Sequence, residues 1–248
     1  MARIPTRPTS EPPPSPDRNP NLLLAALPAD VYARVQRSLT TVRVTVRQML
    51  QEARAPIDRV YFPSGGFCSI LTLLHGGRMV EVATIGREGA VGATAALSDL
   101  ATPTATMVQG KMGPCFAMKA DAFRTEMDRR GPFHDLVTYH MQSVINIAMQ
   151  STACNAVHSV EQRLARWMLT AADHMESDAF DLTQEFAAMM LGASRQTVTL
   201  AAGALQKAGA LRYQRGHVTI VDRAALEGAS CECYGTIVTL RERGRPTR

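Results

Sequence analysis

Residues 182–211 read LTQEFAAMMLGASRQTVTLAAGALQKAGAL, and this stretch decides how the rest of the chain is understood. It reads as two short helices joined by a tight turn. Thr183 is placed to cap the first helix, and Gln184 and Glu185 in its first turn suit the positive end of the helix dipole. Phe186, Ala187, Met190 and Leu191 recur at helical spacing and form its buried face. Gly192 ends it where the backbone must take the left-handed conformation that a residue without Cβ adopts freely. Ser194 then caps a second helix that turns Val198, Ala201, Ala202 and Leu205 inward and Arg195, Gln196 and Thr199 outward. A plain helical hairpin buried in a core has the same apolar pattern. The residues beyond Leu211 separate the two readings.

From Leu211 to Val221 β-forming residues alternate around Arg215-Gly216, which predicts a hairpin. Helix, turn, helix and basic hairpin together make a winged helix. Between Ala193 and Val221 the basic residues Arg195, Lys207, Arg212 and Arg215 meet no acidic one, as a surface against phosphates requires. The outward side chains at the start of the second helix are those that read base edges. Arg donates twice to guanine, Gln pairs with adenine, and Thr bonds a base or touches a thymine methyl.

Composition sets the bounds. At 248 residues with 46% hydrophobic content the chain is long enough for two domains with proper cores. Its 27 basic and 22 acidic residues give a formal charge of +5, an excess compatible with a nucleic-acid partner. Residues 160–234 hold seven basic and nine acidic residues, so the winged helix is basic on one face only. Residues 235–248 add four arginines against one glutamate and read as a basic tail for phosphate contacts or solubility. The apolar run Leu22–Leu27 falls far below the roughly 18 residues of a membrane span, so no membrane association and a cytoplasmic location are expected. The five cysteines (Cys68, Cys115, Cys154, Cys231 and Cys233) are scattered and odd in number, and suggest no disulfide framework.

Taken in order, residues 1–20 carry seven of the fourteen prolines and are expected to be disordered. A short helix at Leu22–Leu27 and another from Pro28-Ala29-Asp30 to about Leu39 precede a series of β-rich runs: Thr41–Val46, Val60–Phe62, Phe67–Leu74, Met79–Ile85, Thr106–Gln109 and Pro114–Met118. Their spacing predicts an antiparallel sandwich or barrel over residues 21–130. Gly86–Gly92 is a glycine-rich loop leading into a short helix at Ala93–Leu97. It reads either as a phosphate cradle or as the corner of a β-roll. After a helix at Asp121–Arg129, Gly131-Pro132 opens a long one over 131–157. In it Val137, Met141, Val144 and Ala148 follow a spacing of 4, 3 and 4, the rhythm of a helix–helix seam. That seam is expected to pack against a second copy, the alternative being the chain's own β domain. Ser159-Val160-Glu161-Gln162 is a capping box, so a new helix starts there and Ala156–Ser159 is a hinge candidate.

The order β-roll, long helix, capped helix, helix-turn-helix and wing resembles the Crp/Fnr superfamily of bacterial transcription regulators, over roughly residues 21–234. Val160–Val221, with Gln162-Arg163-Leu164-Ala165 and Gly192–Val198, carries the resemblance most specifically. It implies an α+β architecture: an N-terminal double-stranded β-helix (a jelly-roll-like β-roll), a long dimerisation helix and a C-terminal winged helix-turn-helix over 158–234. It further implies a non-enzymatic homodimer that binds double-stranded DNA at a palindromic operator and acts on transcription with or against RNA polymerase. Ser194, Arg195 and Gln196 match the start of the family's recognition helix. Gln196 and Leu200 stand where the best-known activator has an acidic residue and a second base-reading Arg, which changes the operator expected. The DNA-facing set is Thr183, Ser194, Arg195, Gln196, Thr197, Thr199, Arg212, Arg215 and His217.

The sensor half departs from that family. Cyclic-AMP-binding members carry Gly-Glu at the start of the phosphate-binding helix, and Arg followed by Ser or Thr about ten residues on. Gly92-Ala93 and Ala101–Ala105 offer neither the carboxylate nor the cationic fork. Cyclic-nucleotide binding is therefore expected to be weak or absent. Gly89, Gly92 and Ala93 mark only a vestigial effector site, and the effector is unknown. No cofactor is expected. The N-terminal cysteine cluster of iron–sulfur members is missing, a haem role for His75 in a hairpin turn has no support, and Cys231-Glu232-Cys233 without a nearby histidine is an incomplete metal site. No catalytic constellation stands out. Two competing readings remain: a cyclic-nucleotide-sensing module whose C-terminal domain binds a protein, and a sequence-indifferent DNA packager.

Overall fold

The computed structural model describes residues 19–98 and 100–243. Of the tail expected to be disordered, only Asn19 and Pro20 fall within it; residues 1–18 lie outside the described residues. Asn19 is already buried, its side-chain amide donating to Tyr32 Oη at 2.9 Å.

Two short helices, α1 (Leu22–Ala25) and α2 (Ala29–Gln36), lead into seven strands: β1 (Thr40–Val42), β2 (Met49–Gln51), β3 (Arg59–Phe62), β4 (Phe67–Leu73), β5 (Met79–Ile85), β6 (Thr104–Gln109) and β7 (Cys115–Lys119). They form two antiparallel sheets, ordered β1-β7-β3 and β2-β6-β4-β5. Alternation decides which side chains fill the space between them. Val42, Leu50, Tyr61, Cys68, Ile85, Val108, Cys115 and Ala117 point inward from both sheets and form one apolar cluster. On the outside of the first sheet Val60, Phe62, Phe116 and Met118 pack under α1, α2 and the next helix, α3 (Ala120–Asp128). Strand β2 has no clear sequence signal because it is three residues long and pairs with β6 in an irregular register.

The outer face of the second sheet is covered by the C-terminal half of the chain. The long helix α4 (Pro132–Val157) starts at a proline, and α5 (Val160–Met175) starts at a complete Ser159–Gln162 capping box. Strand β8 (Ala179–Asp181), α6 (Gln184–Leu191), α7 (Arg195–Lys207), β9 (Leu211–Gln214), β10 (His217–Ile220) and α8 (Arg223–Ala229) complete the winged-helix part. Phe67, Leu71, Ala105 and Met107 of the β-roll share one buried cluster with Leu164, Trp167, Met168 and Leu169 of α5 and with Met190 and Leu191 of α6. The two halves are thus joined by a continuous core. Polar groups cross the same junction. Trp167 Nε1 donates to Glu81 Oε1 at 2.9 Å, Phe67 stacks on His174 at 5.1 Å, and Arg47 lies 5.2 Å over the ring of Phe186. Phe186, expected in the core, is accordingly only half-buried.

Two expectations are corrected. Residues 235–243 are no tail, because helix α9 (Cys233–Arg243) returns along α4. Ile237 is 2% exposed, Ser143 Oγ donates to Leu240 O at 2.9 Å, and Arg241 bonds Asp173 Oδ2 at 3.2 Å. The apolar positions Ile237 and Leu240, three apart on one face, carried the signal, and the arginines hid it. The expected seam of α4 also faces inward. Val137 is fully buried in the core with α3, while Met141, Val144 and Ala148 pack on the chain's own apolar clusters. The alternative reading, packing on the chain's own β domain, describes these residues. No helix among the described residues is long and apolar enough to cross a membrane.

Candidate nucleic-acid interface

Local chemistry builds the helix-turn-helix. Thr183 caps α6 by accepting from Phe186 N, and Gly192 closes it at φ 60°, its cap amide donating to Ala188 and Met189 carbonyls. Ser194 Oγ accepts from Thr197 N at 3.1 Å and lies 2.8 Å from Thr197 Oγ1. Ser194 and Thr197 are therefore engaged in starting α7. Val198 and Leu205 are fully buried, and Ala201 and Ala202 nearly so. This anchors α7 to α5 and α6 and leaves Arg195, Gln196, Thr199 and Leu200 exposed along its first turns.

Leu200, 75% exposed, belongs to the outward face and was not among the expected contacts. Gln184 was missed too: its Oε1 accepts from Thr199 Oγ1 at 2.8 Å, linking the first turn of α6 to α7. Its place at the N-terminus of α6, beside a cap already assigned to Thr183, was the only signal.

The wing is a three-stranded antiparallel sheet, β8-β10-β9. Arg215-Gly216 forms its tip with both residues at positive φ, 51° and 80°, the geometry of a two-residue hairpin loop. Tyr213 Oη donates to Leu182 O at 2.7 Å, and Tyr213 N donates to Gln206 Oε1 at 2.7 Å. These bonds hold the wing against both helices, and burial pushes the Tyr213 phenol up to about 12, so it stays protonated. Arg212 and Arg215 are exposed. His217 is exposed as well, but its Nδ1 lies 2.9 Å from Asp181 Oδ1, an acidic partner on β8 that weakens it as a phosphate contact. Arg195, Arg215, Thr183, Gln184 and Tyr213 line one shallow groove between the wing and α7.

Residues 162–229 match the family model described as the Crp-like helix-turn-helix domain. That segment is similar to the Crp-like helix-turn-helix domain. Around it, the chain has the fold of solved Crp/Fnr regulators. A transcriptional regulator of the Crp/Fnr family from Eubacterium rectale superposes with TM-score 0.68 at 17% identity, covering 84% of this chain and 96% of that one. A CRP-family regulator from Thermus thermophilus gives 0.63 at 16%, covering 77% and 98%. The c-di-GMP-responsive global regulator CLP of Xanthomonas campestris gives 0.65 at 15%, covering 78% and 99%. No curated protein matches the sequence.

Away from the Crp-like domain, the glycine-rich loop is filled by the chain itself. Gly89 N donates to Gly86 O, Val91 N to Tyr61 O, and Gly86 N to Glu88 Oε1. His140 Nε2 of α4 lies 3.1 Å from Ala90 N, and a Cβ on Gly89 would stand 2.1 Å from the His140 ring. Burial holds His140 below its ordinary pKa, which favours the neutral ring. Glu88 is nearly buried as well. Its desolvation is outweighed by the charge of His174 and by backbone amides, so its carboxyl sits below the usual range. The glycines let α4 approach, as a β-roll corner requires. Gly92 is left-handed at φ 84°, and Ala93 opens only a four-residue 3-10 turn in place of the expected short helix.

Proposed function

We propose that this chain is a sequence-specific, DNA-binding transcription regulator that acts as a homodimer on a palindromic operator. The exposed Arg195-Gln196-Thr199-Leu200 face at the start of α7, flanked by Arg212 and Arg215 of the wing, carries this reading. The helix presents a bidentate donor, an amide and an apolar tip to a major groove, while the wing arginines take adjacent phosphates. RNA polymerase is the partner this placement implies, and the cell interior is where it would work.

Homodimerisation rests on a different face of α4 from the one the sequence suggests. Thr138, Gln142, Ile145, Met149, Thr152 and Ala156 are all exposed and have a spacing of 4, 3, 4, 3 and 4. Ile145 and Met149 are 52% and 66% exposed and give this face its large apolar side chains. The effector, if the β-roll takes one, is not a cyclic nucleotide held by Gly89, Gly92 and Ala93, since that loop's interior is occupied by Glu88 and His140.

Selection from a random pool of duplexes tests the proposal. The purified wild type should enrich a palindrome with half-sites about one helical turn apart, and the Arg195→Ala variant should not. Equal retention of every duplex by both would support the packaging alternative and overturn this one.

A further inference from the structure

In sequence, Cys231-Glu232-Cys233 is only half a metal site. The fold supplies the other half. Cys154 lies in the last turn of α4, His158 comes directly after that helix, Cys231 sits between α8 and α9, and Cys233 opens α9. One ligand atom from each of the four lies within 4.8 Å of every other. We propose that Cys154, His158, Cys231 and Cys233 form a closed tetrahedral site for a divalent cation of the zinc class.

Geometry is the first argument. With bonds of about 2.3 Å to sulfur and about 2.0 Å to nitrogen, a tetrahedral centre holds its ligands about 3.8 Å apart for two sulfurs and about 3.5 Å for sulfur and nitrogen. Cys154 Sγ and Cys231 Sγ are 3.5 Å apart, and Cys233 Sγ is 3.6 Å from His158 Nδ1. Two of the six ligand pairs already stand close to the separations such a centre requires, and the other four lie within 4.8 Å.

The surroundings are the second. A metal-binding imidazole commonly gives its other nitrogen to a carboxylate, and ligating thiolates accept nearby N–H groups. His158 Nε2 lies 3.2 Å from Glu232 Oε2, and Gln150 Nε2 donates to Cys233 Sγ at 3.1 Å. Three thiolates and a neutral imidazole around a dication leave one negative charge. The nearly buried guanidinium of Arg163 lies within electrostatic reach of Cys154 and Cys231 and offsets it. The three cysteines are at most 3% exposed, so the site is closed to substrate, as structural zinc sites are.

Its place in the fold gives it a task. Two ligands end the long helix and two begin the returning one, so a bound cation ties α4 to α9 across the junction at 157–160 where the Crp-like domain begins. Arg163, beside the cluster, donates to Leu191 O, the last carbonyl of α6 before the Gly192 turn. Arg163 thereby bonds α5 to the helix-turn-helix while lying within electrostatic reach of the cluster.

The test uses the reduced, untagged full-length protein loaded with zinc sulfate, dialysed against metal-free buffer and assayed by elemental mass spectrometry. One zinc per chain is expected. Cys231→Ser and His158→Ala should fall well below one while keeping the wild-type circular dichroism, and Cys68→Ser, in the β-roll core, should retain one. Should the ligand variants not fold, X-ray absorption on the zinc-loaded wild type decides, with three sulfurs at about 2.3 Å and one nitrogen at about 2.0 Å expected. Reduced wild type that retains no zinc overturns the proposal. So does zinc bound only through oxygen, or retained equally by folded ligand variants. A Cys154–Cys231 disulfide in the isolated protein with no zinc uptake after reduction overturns it too.

Discussion

Helices α4 and α7 were both assigned an inner and an outer face from sequence, and only α7 kept the assignment. The faces of α7 are fixed nearby. Gly192 sets the turn, Ser194 sets the first residue, and the buried partners of Val198 and Leu205 come from adjoining helices. α4 has 26 residues and apolar side chains on several faces: Leu136, Val137, Met141, Val144, Ile145, Ile147 and Met149. Periodicity in such a helix fits more than one seam, and distant elements choose among them. Here β5, α3 and α9 take the Val137–Met141–Val144–Ala148 side and leave the Ile145–Met149 side open.

The contrast can be broken by substitution, starting where the effect should be greatest. Replacing Ile145 and Met149 together by Asp should convert the proposed dimer to a folded monomer in analytical ultracentrifugation. It should also cut affinity for a palindromic duplex on the order of 100-fold or more, through loss of bivalent engagement. A variant that remains dimeric would remove α4's open face from the interface.

Next comes the junction between the halves. Burial pushes the Glu81 carboxyl up to about 7 from an ordinary 4.5, despite hydrogen bonds from Ser69 and Trp167 and the charge of Arg166. The folded chain therefore binds more protons at this site than the unfolded chain between those two values, and stability falls as pH rises through that window. Glu81→Gln should flatten the pH dependence of Tm between about pH 5 and 8 and raise stability at pH 8 by up to roughly 3 kcal/mol. An unchanged slope would place the titration elsewhere.

On the inner side of α4, Val137→Ala should cost roughly 1–3 kcal/mol of folding stability in urea titration without changing the dissociation constant of the proposed dimer. A weakened dimer at unchanged stability would restore the original seam. The smallest effect is at Gly203, an exposed interior residue of α7 whose added Cβ would meet nothing within 4 Å. Gly203→Ala should stabilise the fold by about 0.5–1 kcal/mol. A loss of stability would indicate a contact on the outward face that the account does not contain.

These cases show what was legible. Caps, the Gly192 turn, the wing hairpin and six of the seven β-roll strands depend on residues close in sequence, and their chemistry was visible there. The docking of the winged helix on the β-roll, through Glu81–Trp167 and Phe67–His174, joins residues 86 and 107 positions apart and left no local trace. Helix α9 was misjudged because its arginines outweighed the spacing of Ile237 and Leu240. The cysteine cluster was half visible: Cys154 and His158 share a helix face at i, i+4, but Cys231 lies 77 residues from Cys154. In the glycine loop two readings fitted the sequence equally, and Glu88 and His140, which fill it, favour the structural corner.

The central claim is that α7 reads bases while the wing holds phosphates. It is tested most directly by measuring Kd for wild type, Arg195→Ala and Arg215→Ala on the selected palindrome and on a scrambled duplex, at one salt concentration. The account predicts that Arg195→Ala loses roughly 1–3 kcal/mol on the palindrome and little on the scrambled duplex, whereas Arg215→Ala weakens both alike. Equal losses on both duplexes for Arg195→Ala would contradict it.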